Sequence, residues 1–158
     1  MTNPIRPTDD DARALAMQLL REARHGALGV IDPTLGGPLV TRVACAWIGD
    51  ALHLLVSDLS AHTAALTADP NCSILIAGPD AKGDPLTHPR LTLQCTAQMA
   101  DKAQLRGAWL MSHPKSKLYI DFTDFRMMRL VPKIANLNGG FGKAYQLTTD
   151  DLKHEGDA

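Results

Sequence analysis

The segment Val56-Ser57-Asp58-Leu59-Ser60-Ala61-His62-Thr63 gathers hydroxyls and an imidazole where an apolar strand pattern gives way to a helical one. The first turn of a helix has unpaired N–H groups and the positive end of the dipole, so it is a ready seat for a phosphate. Ser57, Ser60, His62 and Thr63 would add donors in the same small volume. The plainer alternative is an ordinary capped helix, with Asp58 or Ser60 as the cap and His62 on the surface.

A second candidate is Thr41-Arg42-Val43 on an adjacent strand. Side chains alternate along a strand, so Thr41 and Arg42 can face one ligand together only if the strand is bulged. Arg90 opens a further strand beside a proline-rich loop, where a plain surface charge is the competing reading. Lys143 follows Gly139, Gly140 and Gly142, which would let the backbone approach a ligand closely. A simple glycine-rich turn would give the same pattern. No residue is a convincing general acid or base, so catalytic residues stay unassigned.

Several other chemistries are excluded. The six histidines lie far apart in sequence, with no local metal-ligand spacing. Gly139-Gly140-Phe141-Gly142-Lys143-Ala144 is not a phosphate-binding P-loop, because its spacing is wrong and no Ser or Thr follows the lysine. A dinucleotide fingerprint and a serine nucleophile elbow are both missing.

The elements that must position these residues follow from periodicity. Thr8 is expected to cap a first helix, with Asp9 to Asp11 at its positive end and Ala12, Leu15, Ala16, Leu19, Leu20 and Ala23 forming its apolar stripe. Arg21, Arg24 and His25 fall in its last turn, with Gly26 as terminator. Strands are expected over 27–31, 39–48 and 51–57, the last two joined by a Gly49-Asp50 hairpin turn. A short helix over 59–68 and a strand over 72–77, buried on both faces, come next. After a loop over 78–89, Leu91, Leu93, Cys95, Ala97 and Met99 alternate with polar residues as a half-buried strand requires. Asp101 and Gln104 resemble a capping box for a helix that stops near His113-Pro114. Strands over 125–137 and 141–147 close the fold around Gly139-Gly140. One domain over 1–148 and a polar, mobile tail over 149–158 are expected.

Composition agrees with a soluble globular chain: 45% hydrophobic, 21% charged, net charge -1 and pI near 6.6. That balance predicts no bulk attraction to nucleic acid and no membrane partner. The start lacks the basic and apolar regions of a secretion signal, and no apolar run would span a bilayer. Cys45, Cys72 and Cys95 lie far apart inside apolar strand patterns and read as three separate buried thiols in a reducing cytoplasm. Many short strands with few helices favour a mainly β (α+β) antiparallel Greek-key barrel with flanking helices.

Taken in order, Leu55 to Thr63, Arg90-Leu91-Thr92-Leu93 and the His113-Pro114, Asp124-Phe125 and Gly139-to-Ala144 series resemble the FMN-binding split β-barrel of the pyridoxamine-5′-phosphate-oxidase-like family. The nearest resemblance is to its haem-utilisation branch. It implies a homodimer with FMN at the interface and flavin-dependent oxidoreduction of a small substrate. Thr41, Arg42 and Val43 would lie along the flavin. Ser57, His62 and Thr63 would hold its phosphate, helped by Arg90, with Phe141 and Lys143 approaching from the other subunit. His62, Thr63 and Thr41 stand where the true oxidases carry Arg and Lys, which implies weaker phosphate binding unless Arg42 or Arg90 compensates. The C-terminal substrate-binding pattern of those oxidases is also missing, which disfavours vitamin B6 oxidation. The branch alternatively implies haem binding and degradation. His154 is then the candidate iron ligand and Asp124 a candidate hydrogen-bonding partner. A non-catalytic flavin-binding module is the third implied function.

Overall fold

A 14-residue strand, β7 (Phe125–Asn138), organises the computed structural model, which describes residues 3–79 and 82–153. Before it come β1 (Ile5–Arg6), β2 (His25–Ile31), β3 (Pro38–Ile48), β4 (Ala51–Ser57), β5 (Asn71–Ala77) and β6 (Arg90–Met99). After it comes β8 (Ala144–Leu147). Helices α1 (Asp10–Glu22), α2 (Ala61–Ala68) and α3 (Lys102–Ser112) flank the strands. The order β7-β4-β3-β2-β5-β6 returns to β7 through the β6–β7 ladder, closing a six-stranded antiparallel barrel. The barrel is split because β7 changes partner on one side: β4 lies along Phe125–Leu130 and β8 along Ala135–Asn138. Closure leaves few strand edges to protect.

Two apolar clusters hold this arrangement. The barrel interior collects Leu28, Val43, Cys45, Leu54, Ile74, Leu93 and Leu130 with the buried face of α1. A smaller cluster outside the barrel joins α3 to β3 and β7 through Ala46, Leu55, Trp109, Ile120 and Met127. Trp109 is fully buried and donates Nε1–H to Ser116 Oγ at 3.1 Å, so its one polar atom is satisfied. His113, which ends α3, stacks on Trp109 at 4.5 Å, and its Nε2 is 2.8 Å from the Cys45 carbonyl.

The sequence-based expectations hold for the order of the main elements and differ in detail; the strand β1, which pairs with β8, is not among them. Asp9, not Thr8, caps α1 by accepting from Ala12 N at 2.8 Å, while Thr8 Oγ1 donates to the Gln146 carbonyl. The helix ends at Ala23, so Arg24 follows it and His25 opens β2. Gly26 sits inside that strand because a Cβ there would fall 2.8 Å from Ile74 and 3.0 Å from the Leu75 carbonyl. β5 is buried on one face only: Ile74 and Ile76 point inward, while Leu75 on the outer side is 43% exposed. The last strand begins at Ala144, because residues 139–143 form a closed turn in which Gly139 N donates to the Lys143 carbonyl at 2.8 Å.

Other junctions form as expected. Gly49 has φ of +65° in the β3–β4 turn, the left-handed geometry a two-residue hairpin needs. Asp101 accepts from Gln104 N at 3.1 Å at the start of α3. The tail departs from expectation: the chain does not become a mobile tail at residue 149, because Asp151–Lys153 make a 3-10 turn that buries the apolar Leu152 to 3% exposure in the core cluster shared with α1. Arg13 Nε holds Asp151 at 2.7 Å. Burial pushes the Asp151 carboxyl up, but hydrogen bonds from Arg13 and Thr148 outweigh it and hold the group below its ordinary value. Among the described residues no helix is long and apolar enough to cross a membrane.

Candidate functional site

The β4–α2 junction brings together Thr41, Ser57, His62 and Thr63. Asp58 N donates to the Asp124 carbonyl at 2.7 Å, tying the turn to the start of β7. The Ser57 carbonyl then accepts from Ser60 N at 3.0 Å and from Thr63 Oγ1 at 2.5 Å, while Ser57 Oγ accepts from Leu59 N at 3.1 Å. Ser60 occupies the cap position with extended backbone but makes no side-chain cap bond. Asp58 does not cap either; it pairs with Arg126 Nε at 2.5 Å. The first turn of α2 is therefore built without the usual side-chain acceptor over its N–H groups.

His62 reaches back to β3, where its Nδ1 lies 3.0 Å from Thr41 Oγ1. Burial holds its pKa below the ordinary 6.5, so the imidazole is neutral near pH 7. The cluster thus offers hydroxyls, a neutral ring and backbone N–H groups, with no cation of its own. Beside it Asp58 pairs with Arg126, and both line a recess of about 360 Å³ together with Thr63, Thr67, Met99 and Met128. A phosphate fits the donors and the helix dipole here, but it would meet a carboxylate before any unpaired guanidinium.

Arg42 lies on the other side of β3. On its barrel-facing side that strand buries Val43 and Cys45, with Thr41 on the same face, and Arg42 points outward. Val43 contributes only backbone, because its side chain is in the barrel core and it pairs with Gly26. Arg42, Ala27 and Leu75 are lateral neighbours across β3, β2 and β5. Here the exposed strand face and the end of α1 enclose a groove of about 440 Å³. Leu19, Ala27, Leu75, Ala77 and Pro79 give it an apolar wall, and Glu22, Arg24, His25 and Arg42 bring charge and an imidazole to it. Arg24 Nη1 also donates to the carbonyls of Arg21 and Ala23, which fixes it at the helix end.

The remaining candidates do not join the β4–α2 cluster within this chain. Arg90 pairs with Ala77 at the rim of the outer groove, but its Nη1 donates to the carbonyls of Leu86 at 3.0 Å and His88 at 3.2 Å, bracing the preceding loop. Phe141, 94% exposed, and Lys143 sit on the turn after Asn138, whereas Ser57 pairs with Phe125 at the opposite end of β7. Some 40 Å of strand contour, at about 3.3 Å per residue, separates the two. His154 lies outside the described residues. Asp124 is half-buried, and its carbonyl is used by Asp58.

Arg24 and His25 are the residues that sequence reasoning did not assign to a site. Reading them as the last turn of α1 hid their place at the start of β2. The signal was available in Gly29, Val30 and Ile31, whose two-residue alternation extends back to His25. Among the described residues no three His, Cys, Asp or Glu side chains gather as a metal site.

A closed six-stranded antiparallel barrel with three flanking helices, split along one long strand, defines a split-barrel protein. The fold is that of the pyridoxamine-5′-phosphate-oxidase-like split barrels, and the chain is similar in sequence to haem-binding and haem-oxygenase relatives. No family model matches it. It is 38% identical over 106 residues to the chloroplastic non-canonical heme oxygenase HOZ of Arabidopsis thaliana, an alignment covering 65% of this chain and 32% of that protein. The chain therefore spans about a third of the length of this curated relative. A heme binding protein from Mycobacterium smegmatis superposes with a TM-score of 0.84 at 30% identity, over 94% of this chain and 61% of its own. Another solved structure matches at 46% identity and a TM-score of 0.90, over 94% of this chain and 99% of its own. A Clostridium acetobutylicum protein of the pyridoxinephosphate oxidase family shares the fold at 15% identity, with a TM-score of 0.70.

Proposed function

We propose that this protein binds haem in the outer groove bounded by Arg24, His25 and Arg42. The groove's mixed chemistry carries the reading: an apolar wall beside two guanidinium groups and one imidazole. Haem presents an apolar disc, two carboxylates and an iron, and those three features ask for this combination of partners. Glu22 opposes the carboxylates and would sit away from them. The heme oxygenase and heme binding protein among the relatives support haem as the ligand. Haem oxygenation is the reaction to which it extends.

We place the protein as a homodimer. Val40 and Ile31, exposed by 65% and 41%, lie on β3 and β2 beside the groove, an apolar patch of the kind a second copy covers. A reducing cytoplasm suits its three cysteines.

Titrating haem into the purified protein tests the proposal. A Soret band that saturates with haem is expected, and it should collapse in Arg24→Glu/Arg42→Glu. Comparing His25→Ala with His154→Ala identifies the iron ligand. A wild-type protein that develops no Soret band overturns the reading.

FMN binding is a second reading, and the uncapped start of α2 favours it. Flavin-dependent oxidoreduction of a small substrate, or a non-catalytic flavin-binding module, would follow. The flavin supplies redox chemistry when bound; Ser57, His62, Thr63 and the α2 N–H groups would hold its phosphate, and β3 would lie along its ring. Flavin absorbance after FMN titration tests this reading, and NAD(P)H turnover separates its two forms.

A further inference from the structure

We propose that Cys72 and Cys95 form a peroxide-oxidisable dithiol that closes to a disulfide within the chain. The two residues are direct register partners on β5 and β6, and both project into the barrel. Their sulfurs lie 3.5 Å apart in the reduced protein. Directly opposed residues on antiparallel strands have Cα atoms about 4.5–5.5 Å apart, within the range of about 4.4–6.8 Å that a disulfide spans. Side-chain rotation can therefore bring the sulfurs to bonding distance without unpairing the ladder.

The pair is also reachable and polarised. Both cysteines line an open recess of about 380 Å³, and Cys72 is only partly buried. The β6–β7 ladder is irregular beside it: Gln94 faces Ile134 while Cys95 faces Pro132, so Lys133 is the extra residue of a bulge. Pro132 has no N–H to contribute to the ladder at that point. Lys133 lines the recess and donates to Asn71 Oδ1 at 2.6 Å, next to Cys72. The Cys95 hydrogen bond and the Lys133 charge hold the Cys72 thiol below its ordinary pKa, against the opposing effects of burial and Asp69. The Cys95 thiol is pushed up, chiefly by its bond to Cys72 and then by burial. Cys72, the more exposed of the two and the neighbour of the Asn71 that Lys133 holds, is thus the attacking thiolate and buried Cys95 the resolving thiol.

With hydrogen peroxide the steps balance. Cys72 Sγ attacks one peroxide oxygen, the O–O bond breaks, and the departing hydroxide takes a proton to leave as water. Cys72 is then a sulfenic acid. Cys95 Sγ attacks Cys72 Sγ, the S–O bond breaks, and the hydroxide leaves with the Cys95 proton as a second water. Two thiols are oxidised and one peroxide is reduced by two electrons. Cys45 takes no part, because burial pushes its thiol up to about 12.

The test treats the reduced full chain with one equivalent of hydrogen peroxide under native conditions, followed by alkylation, unfolding and peptide mapping. The free-thiol count should fall from three to one, with a Cys72–Cys95 peptide pair and an alkylated Cys45. Dithiothreitol should restore all three. Cys95→Ser should leave Cys72 as a sulfenic acid that dimedone traps, and Lys133→Met should slow oxidation about threefold or more as the thiolate fraction falls. Three free thiols persisting in peroxide excess, or loss of Cys45 first, would overturn the proposal. An unchanged rate in Lys133→Met would overturn the role given to the lysine.

Discussion

Thr41 and Arg42 are adjacent in the chain and serve opposite sides of β3. Thr41 faces the neutral His62 and a turn rich in hydroxyls; Arg42 faces a groove that also holds Arg24 and His25. The inner region has many donors and no cation of its own, and the outer one has cations and a large apolar wall. The difference shows that an anion site cannot be judged from residue types counted along a segment. The period of the strand sorts them first, and each face then has its own electrostatics.

The largest expected effect breaks the outer region. Reversing both guanidinium charges, in Arg24→Glu/Arg42→Glu, should weaken haem binding by at least a hundredfold. Charge-assisted hydrogen bonds of about 1.5–3 kcal/mol are lost, and each 1.4 kcal/mol is tenfold. FMN binding, if confined to the α2 turn, should change far less. Parallel haem and FMN titrations of this variant decide the matter. Equal losses of both ligands would mean that the two faces of β3 contribute to one site.

The complementary change breaks the inner region. His62→Ala combined with Thr63→Ala should weaken FMN by about tenfold, the scale of one or two neutral hydrogen bonds of about 1 kcal/mol each. Haem titration should be unaltered. An FMN dissociation constant identical to wild type would remove the phosphate assignment. Part of any loss will be structural, because Thr63 Oγ1 also ties α2 to the Ser57 carbonyl. Thr63→Ser keeps that hydroxyl and should recover most of the affinity.

The barrel, its helices and the hairpin at Gly49 were legible in the sequence because two-residue alternation and apolar stripes report burial directly. The α2 turn was legible for the same reason: a strand ends and a helix begins within four residues. The outer groove was not. It depends on Ala27 lying between Arg42 and Leu75, a lateral register that no single strand encodes. Nor was the Cys72–Cys95 contact visible, since three cysteines 23 or more residues apart carry no information about which strands pair. The end of α1 misled because Arg21, Arg24 and His25 suit a helix C-terminus, while the packing of Gly26 against Ile74 demands a strand there. Tertiary contact overrode a valid local signal.

A smaller change should sharpen the contrast by giving the inner region a cation. Asp58→Asn removes the carboxylate beside the α2 terminus and releases Arg126, whose guanidinium is half exposed. Phosphate-bearing ligands should then bind about two- to fivefold more tightly, consistent with the 0.3–1 kcal/mol typical of a surface charge near a helix end. The gain should shrink with added salt, as interactions between exposed charges do. FMN titration at low and high ionic strength measures both. A loss of affinity would show that the Asp58–Arg126 pair positions the turn more than it repels a phosphate.

The smallest effect is a pH dependence that separates the regions without any ligand. Burial holds His62 below its ordinary 6.5 in the folded protein. As pH falls through 6.5 the unfolded chain therefore takes up a proton before the folded one. Unfolding then binds protons, so stability declines as pH drops through the window below 6.5 and is level above about 7.5. His53 acts in the same sense, chiefly through burial, so the slope is shared between them. Chemical denaturation at pH 7.5 and 5.5 should show wild type losing stability at the lower pH. His62→Asn should lose less, and the remainder belongs to His53. The outer region offers no such buried imidazole on β3, so Arg42→Ala should leave the slope as it is. A slope that flattens in Arg42→Ala and persists in His62→Asn would reverse the assignment of neutral and charged character to the two sides of β3.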